Sequence, residues 1–222
     1  MKALPEAERP RERLMSGGAG ALSNAELLAI LLRTGNQGQS AITLASQLLA
    51  DTGSLGALLS MEAGQLVRLP GLGPARATTL AAIMELARRA SLENLTALPM
   101  LNTPGAVEEY LSLLLRDRGR EIFAVLFVNS QHRLIRAEEL FKGTVNQTTV
   151  YPREVAKRAL ELNATAVILA HNHPSGLAEP SVADKHLTRT LQNALSQLDI
   201  QVLDHIIVAG PQQYSFAQNG ML

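Results

Sequence analysis

The chain of 222 residues is 46% hydrophobic and 18% charged, which excludes an intrinsically disordered protein and allows one large domain or two small ones. Its 20 basic and 20 acidic side chains cancel, so no overall field draws it to nucleic acid or to an anionic membrane, and any DNA contact has to be local. With no cysteine, disulfides, thiol nucleophiles, Cys-rich zinc modules and iron–sulfur clusters are excluded, and a metal must be held by His, Asp or Glu. The longest apolar runs, such as Ala21-Leu22 followed by Leu27 to Leu32, fall far short of the roughly 18 residues of a membrane span. The N-terminus shows no signal-peptide apolar core or cleavage site, so a soluble, cytoplasmic protein with no membrane partner is expected.

The first 90 or so residues read as short helices, because apolar residues recur at a spacing of three to four and β-branched runs are almost absent. Ser23 caps a helix to about Arg33, and Ser40 caps one to about Ala50. A third, from near Ser60, is cut off by Leu69-Pro70-Gly71-Leu72-Gly73-Pro74, and Ala75 to Ala90 resumes with Leu80, Ile83, Met84 and Ala87 on one face. Residues Ser91 to Thr103 lose that periodicity and contain Asn94, Pro99 and Asn102, which places the boundary of an all-α domain, 1–95, before a second domain, 100–222.

The second half changes character. A helix to about Arg118 precedes strands at Ile122 to Asn129 and Arg133 to Phe141, joined by the turn Ser130-Gln131-His132. Pro152 to Leu162 reads as a helix, Thr165 to Ala170 as a buried strand, Val182 to Leu198 as a helix, Ile200 to Val208 as a strand, and Tyr214 to Phe216 as a short last strand. This pattern predicts an α/β domain around one mixed sheet.

The chemistry lies in His171-Asn172-His173-Pro174-Ser175-Gly176, followed by Ser181 and Asp184. Alternation along a strand end sends His171 and His173 to the same side, where two imidazoles can meet one ion. After the Pro-Ser-Gly turn, Ser181 stands where a helix cap belongs and Asp184 three residues on, so a carboxylate can close on the same point. Two neutral histidines and one carboxylate suit divalent zinc, with a fourth position for water whose pKa the ion lowers towards about 7. A His-x-His pair alone is usually a polar loop, and Ser181 with Asp184 alone is usually a helix cap; their conjunction is the specific feature. No His-Glu-x-x-His is present, and the deaminase pattern needs cysteines that this chain lacks.

That spacing resembles the JAMM metalloprotease signature of MPN domains without a departure. Arg-Glu-Ile-Phe, Phe-Lys-Gly-Thr, Tyr-Pro-Arg-Glu-Val, Ala-His-Asn-His-Pro-Ser-Gly and Leu-Asp-His-Ile-Ile in the second half are similar to the RadC family of bacterial JAMM-domain proteins. Leu-Pro-Gly-Leu-Gly-Pro-Ala-Arg-Ala in the first half resembles that family's N-terminal helix-hairpin-helix module. The resemblance implies a helix-hairpin-helix domain followed by a cytidine-deaminase-like MPN (JAMM) domain. It further implies a zinc site of His171, His173 and Asp184, a glutamate as general base towards water, and Ser181 steadying the oxyanion. Glu121 occupies the place of that glutamate. Among its competitors, Glu138 and Glu139 are adjacent and point to opposite faces of their strand, and Glu154 lies in a first helical turn, where an acid is favoured in any case. A solvated strand-edge acid beside Arg120 is the bland alternative for Glu121.

Amide or isopeptide hydrolysis is therefore the leading expectation, with a DNA-structure binding or repair protein and a metal-free scaffold as alternatives. His205, after Asp204, sits on a strand, where a lone histidine is either a hydrogen-bonded structural residue or a support behind a metal ligand. His132 at a turn and His186 on a helix carry no functional expectation. In the hairpin, Gly71 and Gly73 permit positive φ and close approach, so that backbone amides can face a DNA phosphate, with Arg76 and Arg68 adding charge. Arg33-Thr34-Gly35-Asn36-Gln37-Gly38 is a weaker, degenerate second hairpin. Packing or protein binding is the competing role for such a module, and the residues name no particular peptide, isopeptide or other substrate.

Overall fold

A computed structural model describes residues 5–97, 104–143 and 149–222, and the chain divides into two compact units between Leu86 and Ala87. The stretch containing Pro99 and Asn102, within which the domain boundary is expected, lies outside the described residues.

The first unit is helical: α1 (Pro10–Gly17), α2 (Asn24–Leu32), α3 (Ala41–Thr52), α4 (Leu55–Ser60), α5 (Ala63–Leu66) and the start of α6 (Pro74–Ala97). Ser23 starts α2 with a capping box, its hydroxyl accepting from Glu26 N while the Glu26 carboxylate accepts from Ser23 N. Ser40 caps α3 through Thr43 N. The helix expected from near Ser60 is the short α5, which Glu62 starts by pairing reciprocally with Gln65; α4, capped by Ser54 and ending at Ser60, precedes it and is not among the expected helices. Leu28, Leu44, Leu48, Leu58, Leu66, Leu72 and Leu80 are almost completely buried together, each worth roughly 2 kcal/mol of burial. α6 does not stop near Ala90. No glycine or proline interrupts it before Pro99, so it continues past Ser91 and Asn94 to Ala97, and Leu92 and Leu95 join the core of the second unit.

The second unit contains α7 (Pro104–Leu115), β1 (Ile122–Val128), β2 (Leu134–Lys142), α8 (Pro152–Glu161), β3 (Ala166–Asn172), α9 (Val182–Ser196), β4 (Gln201–Ala209) and β5 (Gln212–Ser215). α7 ends at Leu115, short of the expected Arg118, and Asp117 takes a left-handed conformation at φ 56°. The strands form one mixed sheet in the order β2-β1-β3-β4-β5, with β3 and β4 parallel and the other neighbours antiparallel. Val107, Tyr110, Leu111 and Leu115 of α7 cover one face against Ala124, Leu126, Ile168 and Ala170. Val155 and Ala159 of α8 and Leu191 and Leu195 of α9 cover the other against Phe123, Val125, Val167 and Leu169. A strand buried on both faces reads as an unbroken apolar run, as β3 does. It extends two residues beyond the expected Ala170, so that His171 lies inside the strand. The β3–α9–β4 crossover then brings the first turn of α9 back to the carboxyl end of β3.

Candidate metal centre

Three side chains converge at that end of the sheet. His171 Nε2 lies 3.2 Å from Asp184 Oδ1, His173 Nε2 lies 3.4 Å from Asp184 Oδ2, and the two Nε2 atoms are 3.0 Å apart. Donor atoms at about 2.0–2.1 Å from a tetrahedral ion stand about 3.3 Å from one another, so this set fits one divalent cation. His171 is buried and His173 only partly so, leaving an approach from solvent. His173 Nδ1 is 2.7 Å from the Leu177 carbonyl, which can only accept; Nδ1 therefore carries the hydrogen and Nε2 is the ring's free donor atom. Gly176, at φ 79°, allows the Pro174-Ser175-Gly176 turn to close through its N–H on the His173 carbonyl.

Ser181 is the N-cap of α9. Its backbone N and its hydroxyl both donate to Asp184 Oδ2, at 2.7 and 2.6 Å, and Asp184 N donates to its Oγ at 3.1 Å. This capping box aims the carboxylate, leaving Oδ1 towards His171. The hydrogen bond to Asp184 raises the proton affinity of His173, with further contributions from the Leu177 carbonyl and the charge of Glu121. Burial alone would raise the pKa of Asp184, but the facing imidazoles of His171 and His173 and the hydrogen bonds from Ser181 favour the carboxylate and hold it below the ordinary range. His205, fully buried behind His171, is held neutral by that burial.

Glu121 immediately precedes β1. The pairs Phe123↔His171 and Ala124↔Ala170 define an antiparallel register that, continued by two residues, sets Glu121 opposite His173. Asn172, buried between the two histidines and pointing to the other face, secures this segment: Oδ1 accepts from Ile122 N at 2.8 Å, and Nδ2 donates to the carbonyls of Arg120 and Arg118 at 3.0 and 3.3 Å. The competing glutamates are engaged elsewhere. Glu138 accepts two hydrogen bonds from Arg158 at 2.8 and 2.6 Å, Glu139 pairs with Lys142 at 3.2 Å, and Glu154 is exposed beside Arg153.

A RadC-like JAB domain model matches residues 101–221, and a UPF0758 N-terminal model matches residues 1–78. The chain belongs to the RadC family. A UPF0758 protein of Leptothrix cholodnii is 54% identical across the whole of both chains. One of Methylibium petroleiphilum is 53% identical, also across both chains, and one of Photobacterium profundum is 53% identical across all of this chain and 99% of the relative. As the resemblance implies, this RadC-family chain thus joins a helical N-terminal region to a JAB/MPN domain with a mixed five-stranded sheet. Among the described residues, no helix is long and apolar enough to cross a membrane.

The hairpin of the N-terminal region corrects the expectation for Arg76. Its guanidinium is not a free cation: Nη1 donates to Asn36 Oδ1 and the Gly71 carbonyl at 2.8 and 2.7 Å, and Nη2 to the carbonyls of Thr34 and Gly35 at 2.7 and 2.8 Å and to Thr34 Oγ1 at 3.0 Å. Arg76 thus ties the loop after α5 to the Arg33–Gly38 loop. Gly71 likewise packs inward at φ 84°, where a Cβ would meet Asn36 Nδ2 at 2.5 Å and Leu44 Cδ1 at 2.6 Å. At Gly73, by contrast, an added Cβ would meet only open space.

Sequence reasoning did not single out Asn172, Thr188, Phe123 or Phe216. Thr188 lies one helical turn after Asp184 on the same face of α9, which is the one sequence signal for it. The two phenylalanines flank His205: Phe216 is stacked on it with centroids 4.9 Å apart, and Phe123 meets it edge-on at 5.8 Å.

Proposed function

We propose that this protein is a zinc-dependent hydrolase of amide bonds, in peptides or isopeptides, of the JAMM type. Support comes first from the convergence of His171, His173 and Asp184, whose donor atoms lie within 4.8 Å of one another. Bound there, zinc would supply a Lewis acid and a water acidified towards neutrality. Glu121, opposite His173 at the open side of the site, takes a proton from the attacking water and returns it to the departing amine nitrogen as the C–N bond breaks. Ser181 steadies the developing oxyanion, for which its hydroxyl turns from Asp184 Oδ2 to the substrate. Asn172 keeps Glu121 in register through the Ile122 amide. The partly exposed His173 and the exposed Ser181 leave room for an extended chain to reach the donor cluster.

Metal analysis of the purified protein, combined with cleavage of a peptide and isopeptide library before and after chelation, tests this. About one zinc per chain and cleavage that is abolished by chelation and restored by zinc are expected. Failure to take up zinc, or cleavage indifferent to chelation, refutes the proposal.

A further inference from the structure

Behind His171 runs a chain of buried polar groups that no step above uses. Thr188 Oγ1 lies 2.6 Å from the Asp184 carbonyl and 2.7 Å from His205 Nδ1, and His205 Nε2 lies 2.8 Å from His171 Nδ1. Thr188 and His171 are 1% exposed and His205 is 0% exposed, so water does not complete these contacts.

The donors and acceptors along this chain can be assigned in one direction. A backbone carbonyl only accepts, so the single hydroxyl hydrogen of Thr188 goes to Asp184. The hydroxyl oxygen must then accept from His205 Nδ1–H. A neutral ring with its hydrogen on Nδ1 presents a lone pair at Nε2, and that lone pair requires a hydrogen on His171 Nδ1. His171 is left with its lone pair on Nε2, the atom that faces Asp184 and His173.

We propose that Thr188 and His205 are positioning residues that fix the tautomer of His171, presenting its Nε2 as a ready donor to a divalent cation. The relay starts on the backbone of Asp184 and ends on the ring of His171, so one chain of hydrogen bonds across α9, β4 and β3 aligns two of the three donor residues. A ligating histidine whose second nitrogen is held in this way binds metal more tightly, and loss of such a partner typically costs about 10–100-fold in affinity.

Thr188→Val keeps the shape and removes the hydroxyl, whereas Thr188→Ser keeps the hydroxyl. Two measurements decide. The first, 15N NMR of the His171 ring in metal-free protein, is independent of the metal reading: the native chain and Thr188→Ser show the Nδ1–H form, and Thr188→Val shows a mixture of tautomers. The second rests on the zinc reading: in competition with a chromophoric chelator, Thr188→Val binds zinc about 10–100-fold more weakly and Thr188→Ser binds it as the native chain does. A merely structural Thr188 would lower the melting temperature and move neither readout. Should Thr188→Val fail to fold, Thr188→Ala serves in both measurements. If the native chain takes up no zinc, the hydrolase proposal falls and the tautomer decides the relay alone. An unchanged Nδ1–H tautomer in the folded valine or alanine variant overturns it, as does unchanged zinc affinity.

Discussion

Arg76→Lys separates two roles for the hairpin. A lysine keeps the positive charge, so an arginine that served a phosphate would be replaced with little loss. The structure instead commits the guanidinium to five acceptors on Thr34, Gly35, Asn36 and Gly71, reached from two nitrogens in a planar fork. An ammonium is a single point with three hydrogens and cannot reach both loops at once, so at least two of these contacts are lost. Charge-assisted hydrogen bonds are worth about 1.5–3 kcal/mol each when buried, and partial solvent exposure here reduces that, giving about 2–3 kcal/mol for the substitution. In a unit of this size such a loss lowers the melting temperature of the N-terminal transition by on the order of 10 °C. Calorimetry of the full chain measures it. A lysine variant that melts within about 2 °C of the native chain would refute the clamp, since that shift corresponds to well under 1 kcal/mol.

Alanine at His171, His173 or Asp184 should each empty the metal site while circular dichroism stays unchanged, because the donors stand on a sheet whose apolar faces form without them; full zinc occupancy in any of the three variants would exclude that residue as a ligand. Glu121→Gln is expected to retain zinc and lose about a hundredfold or more in turnover, measured on whichever library substrate is cleaved. Loss of zinc instead would make Glu121 a ligand, and unchanged turnover would remove it from the reaction. Hydrogen bonding from Arg158 holds the Glu138 carboxyl below its ordinary value of 4.5, so its contribution to stability is present above that pH and is lost as pH falls through the lowered value. Urea titrations should therefore show native protein ahead of Glu138→Gln by roughly 1 kcal/mol at neutral pH and the two converging in acid; a constant difference would dismiss the pair.

Much of the molecule was legible from residue order alone because local physics dictates it. Ser23 and Ser40 marked helix starts, since a hydroxyl that satisfies an orphan backbone N–H works within four residues. The candidate donor cluster was legible for the same kind of reason: strand alternation pairs His171 with His173, and the Ser181–Asp184 cap sets the carboxylate, each over a span of three residues or fewer. Where helices stop was less legible. α6 outran its own periodicity because Leu92 and Leu95 found a core to enter, and burial outweighs a weak local preference.

The tertiary structure decided what lies between segments distant in the chain. The register of β1 on β3 sets Glu121 opposite His173, and its neighbour Ile122 is tied to Asn172 across a sequence separation of 50 residues. The chain Thr188–His205–His171 depends on a parallel crossover that no local pattern specifies. Arg76 shows the same limit from the other direction. An arginine beside a glycine hairpin reads as a phosphate contact until a loop some 40 residues earlier supplies the carbonyls that take its hydrogens. Hydrogen bonds and charges act over a few ångströms in space, whereas sequence spacing measures only distance along the chain, and folding alone converts one into the other.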